Sequence, residues 1–233
     1  MLQRGTTKLG RTIWHFSIPP VDTCPGKSEL CERICYARRG WFGVSSSRRV
    51  LEANYLESQR ADFPSLMLGA IWTQRPKLIR IHCAGDFYSA RYVRKWCRIV
   101  QELPDVRFYY YTRSWRVATI AEAMRELEGF RNVAPWWSVD QETGVPPRRG
   151  VSSRVRFAYV SITDDDIAPR PVDLYFRDYN LRRHVTKKVS GELVCPQENG
   201  ITSVNCLQCQ VCLRTTQEMR TGHRIPLALT TVS

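Results

Sequence analysis

The side chains best suited to chemistry in this chain are its cysteines. Nine are present, and seven of them fall into two compact groups. In a reducing compartment, clustered thiols serve metal binding or catalysis rather than disulfide formation. The second group reads Cys195-Pro196, a spacer, then Cys206-Leu-Gln-Cys209-Gln-Val-Cys212. A C-x2-C-x2-C run with a more distant Cys-Pro is the ligand vocabulary of a four-iron, four-sulfur ([4Fe-4S]) cluster, because x2 spacing wraps a tight loop so that successive sulfurs reach different irons. Zinc is the rival, since tetrahedral four-cysteine sites also use C-x2-C pairs. The first group, Cys24-Pro25-Gly26 followed by Cys31 and Cys35-Tyr36-Ala37, offers three thiolates. Three ligands on a cubane leave one iron open to a substrate or cofactor, whereas four saturate it. The expected arrangement is Cys195, Cys206, Cys209 and Cys212 around one C-terminal cluster. Cys24, Cys31 and Cys35 then hold an N-terminal one with a non-cysteine fourth partner. The alternative is that a C-terminal cysteine closes the N-terminal site and both groups are structural.

Other polar residues take their meaning from position. Alternation along Lys77-Leu-Ile-Arg-Ile-His-Cys83 places Cys83 on the face of Ile79 and Ile81, as core, and puts Arg80 and His82 together on the opposite face, toward an inner cavity. His82 could bind a ligand or satisfy a buried hydrogen bond. Gly85 and Asp86 form a turn at a strand's C-terminal end, the side on which α/β folds build their sites. Asp86 could instead cap the next helix, but Ser89 is better placed for that. Arg113 and Asp140 also end strands. Cys97 lies on an apolar helix stripe and reads as a buried structural thiol. Tyr109, Tyr110 and Tyr111 alternate faces, so only part of that run can line a cavity.

The elements that must position these residues alternate. Thr12 to Ile18 reads as a first strand ended by Pro19-Pro20, and helical spacing follows over Ser47 to Arg60 and Ser65 to Trp72. Strand candidates Lys77 to Cys83, Val106 to Thr112, Val133 to Val139 and Val155 to Ile162 start 22 to 29 residues apart, the length of a βα unit. Helical patterns over Tyr92 to Leu103 and Val117 to Leu127 fill the first two intervals. The expected class is α/β: a parallel, right-handed array, as a partial barrel or open sheet of five or six units. A first unit over 1–186 carries this array and the N-terminal cysteine loop. A cysteine-rich extension over 187–233 packs on it.

Composition bounds the remainder. With 43% hydrophobic and 24% charged residues in 233, the chain is globular rather than disordered, collagen-like or coiled coil. Its longest apolar stretch falls well short of the ~20 residues needed to span a bilayer, and the first residues lack a signal peptide's apolar core. The expectation is an intracellular, cytoplasmic protein. Thirty-five Lys and Arg against 22 Asp and Glu leave +13, which attracts nucleic acid, anionic membrane or acidic partners without choosing among them. The surplus is spread over doublets such as Arg38-Arg39, Arg48-Arg49, Arg148-Arg149, Arg182-Arg183 and Lys187-Lys188. A metal-stabilised nucleic-acid binder without catalysis therefore stands beside the redox reading.

Two resemblances follow from these residues. First strand, three-cysteine loop with an aromatic after the last cysteine, helix, second strand and Ala84-Gly85-Asp86-Phe87 is similar to the layout of the radical S-adenosylmethionine enzymes. Here the cysteine spacing is C-x6-C-x3-C where that superfamily has C-x3-C-x2-C. The resemblance implies a partial barrel holding a three-cysteine cluster, with S-adenosylmethionine near Tyr36, Gly85 and Asp86. A second resemblance covers most of the chain: Cys24-Pro25-Gly26, Cys31-x3-Cys35-Tyr36-Ala37, Arg80-Ile81-His82, Gly85-Asp86-Phe87, Tyr92-x3-Trp96, Pro104-Asp105 through Tyr111-Thr112 and the terminal cysteine run look like the phage gene product 88 family. It implies a viral accessory protein, in the infected host cell, with an iron-sulfur cluster and a radical-enzyme-like core whose substrate is unknown.

Overall fold

In the computed structural model, residues 1–163, 165–178, 193–201 and 203–223 are described. Among these, seven strands form one sheet in sequential order: β1 (Gln3–Arg4), β2 (Trp14–Phe16), β3 (Leu78–Ile81), β4 (Arg107–Thr112), β5 (Val133–Val139), β6 (Arg156–Ser161) and β7 (Leu174–Arg177). The β1–β2 pair is antiparallel and every later pair is parallel. The protein is thus a mixed α/β fold with a mostly parallel sheet.

Register assigns the residues to faces. His15 pairs with Arg80, Arg80 with Tyr109, and Tyr109 with Ala134, so these four form a row on one face. The other face carries Phe16, Ile79, Ile81, Phe108, Tyr110 and Val133, buried under α3 (Phe63–Gln74), α4 (Ala90–Gln101) and α5 (Ala118–Gly129). Each helix has a local cause. Pro64 in the first turn of α3 fits the fixed φ of proline. Ser89 caps α4 by accepting a bond from Tyr92 N, and the Trp96, Cys97 and Val100 stripe is fully enclosed. Cys97 is core, as its place on the stripe implied.

The βα period fails after β5. The described residues of 140–155 and 162–173 join parallel strands without a helix, and Val139, Phe157, Tyr159 and Tyr175 are covered there by loop residues such as Val145 and Val172. Pro146 and Pro147 lack the N–H that a helix interior needs. β7 was not expected, because its four residues are too short to carry a period. The first strand spans only Trp14–Phe16, and β1 adds an antiparallel edge too short to announce itself.

The inner face is closed by the C-terminal segment, which holds α6 (Cys206–Cys209) and α7 (Thr216–Arg220), each started by a capping box, on Asn205 and on Thr215. Sequence periodicity missed both because each is about one turn long. Leu207 and Leu213 pack with Leu78, Tyr109 and Ala134. Cys206 N donates to Lys8 O at 2.9 Å, Trp136 Nε1 to Cys212 O at 3.0 Å, and Thr216 Oγ1 to Arg154 O at 2.8 Å. The 186/187 boundary and the doublets Arg182-Arg183 and Lys187-Lys188 lie outside the described residues. Among the described residues, no helix is long and apolar enough to cross a membrane.

One core acid makes the fold pH-sensitive. Glu128, 2% exposed, accepts a 2.8 Å bond from Trp137 Nε1, and burial pushes its carboxyl up to about 7. A raised carboxyl means that the folded protein holds the proton more tightly than the unfolded chain. Its contribution to stability is therefore full below the ordinary value of 4.5, falls as pH rises toward 7 and is flat above. Glu128→Gln keeps an acceptor for Trp137 and removes the buried charge. It is expected to stabilise the protein by about 2–3 kcal/mol at pH 8 and not at pH 4; equal gains in urea melts at both pH values would refute this origin.

Candidate functional site

The C-terminal ends of β2 to β5 form a rim on which the N-terminal cysteine loop sits. Asp86, buried just past β3, accepts bonds from its neighbour Phe87 N at 2.7 Å and, across the rim, from Thr112 Oγ1 at 2.6 Å and Arg113 N at 2.8 Å. Burial raises its carboxyl, and these bonds act against that rise. Arg113 turns its guanidinium to Asp140, 2.7 Å away at the end of β5. Asp140 is 0% exposed and also accepts from Ser28 Oγ at 2.7 Å, Thr143 N at 2.8 Å and Glu142 N at 3.0 Å. Desolvation raises Asp140, but Arg113 and these donors outweigh it and hold the carboxyl below its ordinary value. Ser28 caps α1 (Glu29–Arg33) by accepting from Cys31 N at 3.0 Å. Three successive strand ends thus reach the helix that carries Cys31, and Asp140 does more to place that loop than its position alone suggested.

Two glycines let the loop come down on the rim. Gly85 has φ +80, and a Cβ there would lie 2.7 Å from Thr23 Oγ1 and 2.8 Å from Ile18 O. Gly26 sits on the Arg113 carbonyl so closely that a Cβ would overlap it. Cys24 lies near enough to Asp86, Cys31 and Cys35 to feel their charges. Burial raises the Cys24 thiol, and Asp86, Cys31 and Cys35 add to the rise; the Cys31 thiol is likewise raised by burial and lowered by Arg113.

Tyr36, directly after Cys35, is 53% exposed, yet surrounding protein pushes its hydroxyl up to about 12 by desolvation. Its hydroxyl donates to Cys83 O and accepts from Arg80 Nη2 at 3.4 Å.

His82 departs from the alternation. It has φ +66, which ends β3 at Ile81 and reverses the order of faces. Its ring turns into the aromatic cluster on the helix side, with Phe87 at 4.9 Å and Tyr92 Oη at 2.8 Å from Nε2. Burial, then Arg80, lowers its pKa to about 3. Cys83 goes instead to the inner face with Leu78 and Tyr109. A positive φ at a histidine leaves no mark in hydrophobic alternation, so the shared face of Arg80 and His82, and the shared face of Cys83 with Ile79 and Ile81, are both corrected.

The C-terminal cysteines meet on the inner face. Cys195, Cys206, Cys209 and Cys212 line one small pocket of about 20 Å³ together with Pro196, Val204 and Val211. Burial raises Cys206 to about 11, with Arg80 acting against it. Burial also raises Cys212 to about 12, with Cys206 adding to the rise and the Tyr111 hydroxyl opposing it. Among the described residues, no group of three or more His, Cys, Asp or Glu side chains is drawn together tightly enough to hold a metal ion.

Comparison with known proteins gives a family and no solved fold. The chain is 26% identical over 179 residues to the Gene 88 protein of Mycobacterium phage D29, covering 68% of this chain and 72% of that protein. It is 29% identical over 152 residues to the Gene 88 protein of Mycobacterium phage L5, covering 60% of this chain and 62% of that one. No solved structure matches. The family model described as Gene product 88 matches residues 1–216, a span that takes in both cysteine groups and the whole sheet, so the chain belongs to the phage gene product 88 family.

Proposed function

We propose that this is an iron-sulfur protein built on a partial βα barrel. In this reading a [4Fe-4S] cluster is held by Cys195, Cys206, Cys209 and Cys212, and a second, with an open iron, by Cys24, Cys31 and Cys35. The observation that carries it is the lining of one inner-face pocket by all four C-terminal cysteines. A single zinc ion requires sulfurs within about 4 Å of one another, given Zn–S bonds of about 2.3 Å. A polynuclear cluster asks for less convergence, because each thiolate binds its own iron. Sequential parallel strands with helices on one face suit a partial barrel, and the N-terminal loop lies at its C-terminal rim, where such folds place their chemistry.

When bound, a three-thiolate cluster supplies one-electron chemistry at an iron open to a cofactor or substrate, S-adenosylmethionine being the candidate that the rim suggests. The chain's own residues then have separate tasks. Asp86, Arg113 and Asp140 fix the loop, Tyr36 ties its end to the Cys83 carbonyl, and Gly85 allows close approach. His82, neutral within its aromatic cluster, supports Tyr92 and reaches the rim only through its backbone. The place of action is the cytoplasm of the infected host.

Protein prepared anaerobically is expected to be brown, to contain iron and acid-labile sulfide, and to lose its broad visible absorbance when dithionite is added. Adding S-adenosylmethionine to the reduced protein is expected to change the electron paramagnetic resonance signal of the N-terminal centre. Colourless protein holding stoichiometric zinc would overturn the reading. A second reading has its own support: Arg33, Arg38, Arg39, Arg48 and Arg49 are exposed around the cysteine loop, and none forms an ion pair among the described residues. If this patch takes nucleic acid, affinity will fall steeply with salt as counterions are released; a flat salt profile would discard it.

A further inference from the structure

We infer that the helix-free side of β6 and β7 carries a ligand site of its own, a cleft that takes the base and phosphate of a nucleotide. The links after β5 and after β6 stand where helices would otherwise cover the sheet, and between them lies a cavity of about 220 Å³. Phe157 of β6 forms its floor, and Val145, Pro146 and Val172 form apolar walls. The volume is below the ~300–1,000 Å³ of sites for drug-sized ligands, so the cleft suits one ring system rather than a large cofactor. No cysteine lines it, and the site is independent of the iron-sulfur reading.

The cleft is already organised for a flat ring. The Arg148 guanidinium lies 3.9 Å over the Phe157 ring, and its edge donates to Val155 O at 2.7 Å and to Asp173 Oδ2 at 2.5 Å. Phe157 takes one side of the guanidinium plane, yet the Arg148 side chain is 49% exposed, which leaves the opposite side open. A guanidinium fixed in this way can stack on a π-rich ring without the entropy loss of ordering a free arginine. Asp173 is fixed as well. Its Oδ2 also accepts from Phe157 N at 2.7 Å, whereas Oδ1 accepts no bond from the described residues and remains for an N–H of the stacked ring. Pro146, Pro147, Pro169 and Pro171 stiffen the two links, and Ala168 N pins the second by donating to the Tyr175 hydroxyl at 3.1 Å.

The mouth of the cleft is cationic. Arg170 lines it and donates to Val145 O at 3.0 Å, and Arg149 is exposed beside Arg148. Among the described residues neither Arg149 nor Arg170 forms an ion pair. The remaining N–H groups of Arg170 suit a phosphate, which guanidinium binds through charge-assisted hydrogen bonds. Asp173 repels an anion, so the phosphate belongs at Arg170 and the N–H edge of the ring at Asp173. Inorganic phosphate would use only the mouth, and an uncharged ring only the floor. A nucleoside 5′-phosphate joins the flat ring, the N–H donor and the anion in one molecule. The same chemistry is offered by a free mononucleotide and by one residue of a single strand.

Calorimetric titration of the full chain with AMP, adenosine, inorganic phosphate and a single-stranded oligoadenylate tests the assignment. AMP is expected to bind saturably, with adenosine and inorganic phosphate each about tenfold weaker or more. Arg170→Gln is expected to weaken AMP about tenfold and to leave adenosine unchanged. Arg148→Lys keeps the charge but not the plane, and is expected to weaken AMP and adenosine alike, by up to about tenfold. Arg148 also ties Val155 and Asp173, so Arg170→Gln, on an exposed side chain, decides if Arg148→Lys fails to fold. Oligoadenylate that binds more tightly than AMP and responds to the same substitutions identifies a strand as the source of the nucleotide; AMP that binds at least as tightly identifies the free form. No binding of AMP or oligoadenylate at millimolar concentration overturns the assignment. Binding that Arg170→Gln leaves unchanged overturns it too, and is the result expected if the exposed arginines around the cysteine loop hold the ligand instead.

Discussion

Replacing Cys206, Cys209 and Cys212 together by serine is expected to strip the C-terminal centre of metal and to lower the melting temperature by about 10–20 °C. Metal binding by a structural four-cysteine site is worth about 10–16 kcal/mol in small peptides that are otherwise unfolded. Here the segment keeps other anchors. Leu213 is buried against Leu78 and Tyr109, Glu218 pairs with Arg107, and Arg156 and Trp136 bond the loop backbone. A loss of roughly 5 kcal/mol is therefore the expected scale, and for a chain of this size it corresponds to the stated shift. Because Trp136 donates to Cys212 O, its fluorescence should change as the loop detaches. A triple variant that melts with its parent and holds the same metal would show that these cysteines are not ligands.

How much of this was legible in the sequence depended on whether the signal was periodic. Strands Val106 to Thr112 and Val133 to Val139, and the helix after Ser89, follow from alternation or a 3.6-residue stripe, and they stand within a residue or two of where the pattern put them. The helix-free links after β5 and the one-turn helices of the C-terminal segment carry no period. Cysteine spacing named two groups, but the resting place of the second on the inner sheet face depends on Arg107, Trp136 and Arg156, residues far away in sequence. The reversal at His82 is a backbone event. The rim network was half legible, because strand ends can be counted while the Arg113–Asp140 pair and its reach to Ser28 cannot. Arg80 was visible as a polar residue on an inward face; its bonds to the His82 carbonyl and the Tyr36 hydroxyl are facts of three dimensions only.

The N-terminal loop supplies the other large effect. Gly26→Ala is expected to abolish the three-cysteine centre while leaving the C-terminal one loaded. An added Cβ would stand 2.8 Å from Ser114 N and nearer still to the Arg113 carbonyl. Overlap with backbone is relieved only if one side moves. Arg113 is held in place, because its N–H is bonded to Asp86 and its guanidinium is ion-paired with Asp140, which itself is held by Ser28 and Thr143. The loop must therefore lift, breaking the 3.0 Å bonds that Arg116 gives to the Gly26 and Lys27 carbonyls and costing about 3 kcal/mol. Cys24 and Cys31 flank the displaced residue, so their sulfurs lose register with Cys35. Gly129→Ala is the control, since its Cβ meets nothing within 4 Å and alanine favours the helix there by up to about 1 kcal/mol. Iron per chain should fall in Gly26→Ala to the level of the Cys24, Cys31 and Cys35 serine variant, with the response of the resonance signal to S-adenosylmethionine gone. Unchanged iron together with an unchanged signal in a folded Gly26→Ala protein would mean that docking on Arg113 does not build this centre.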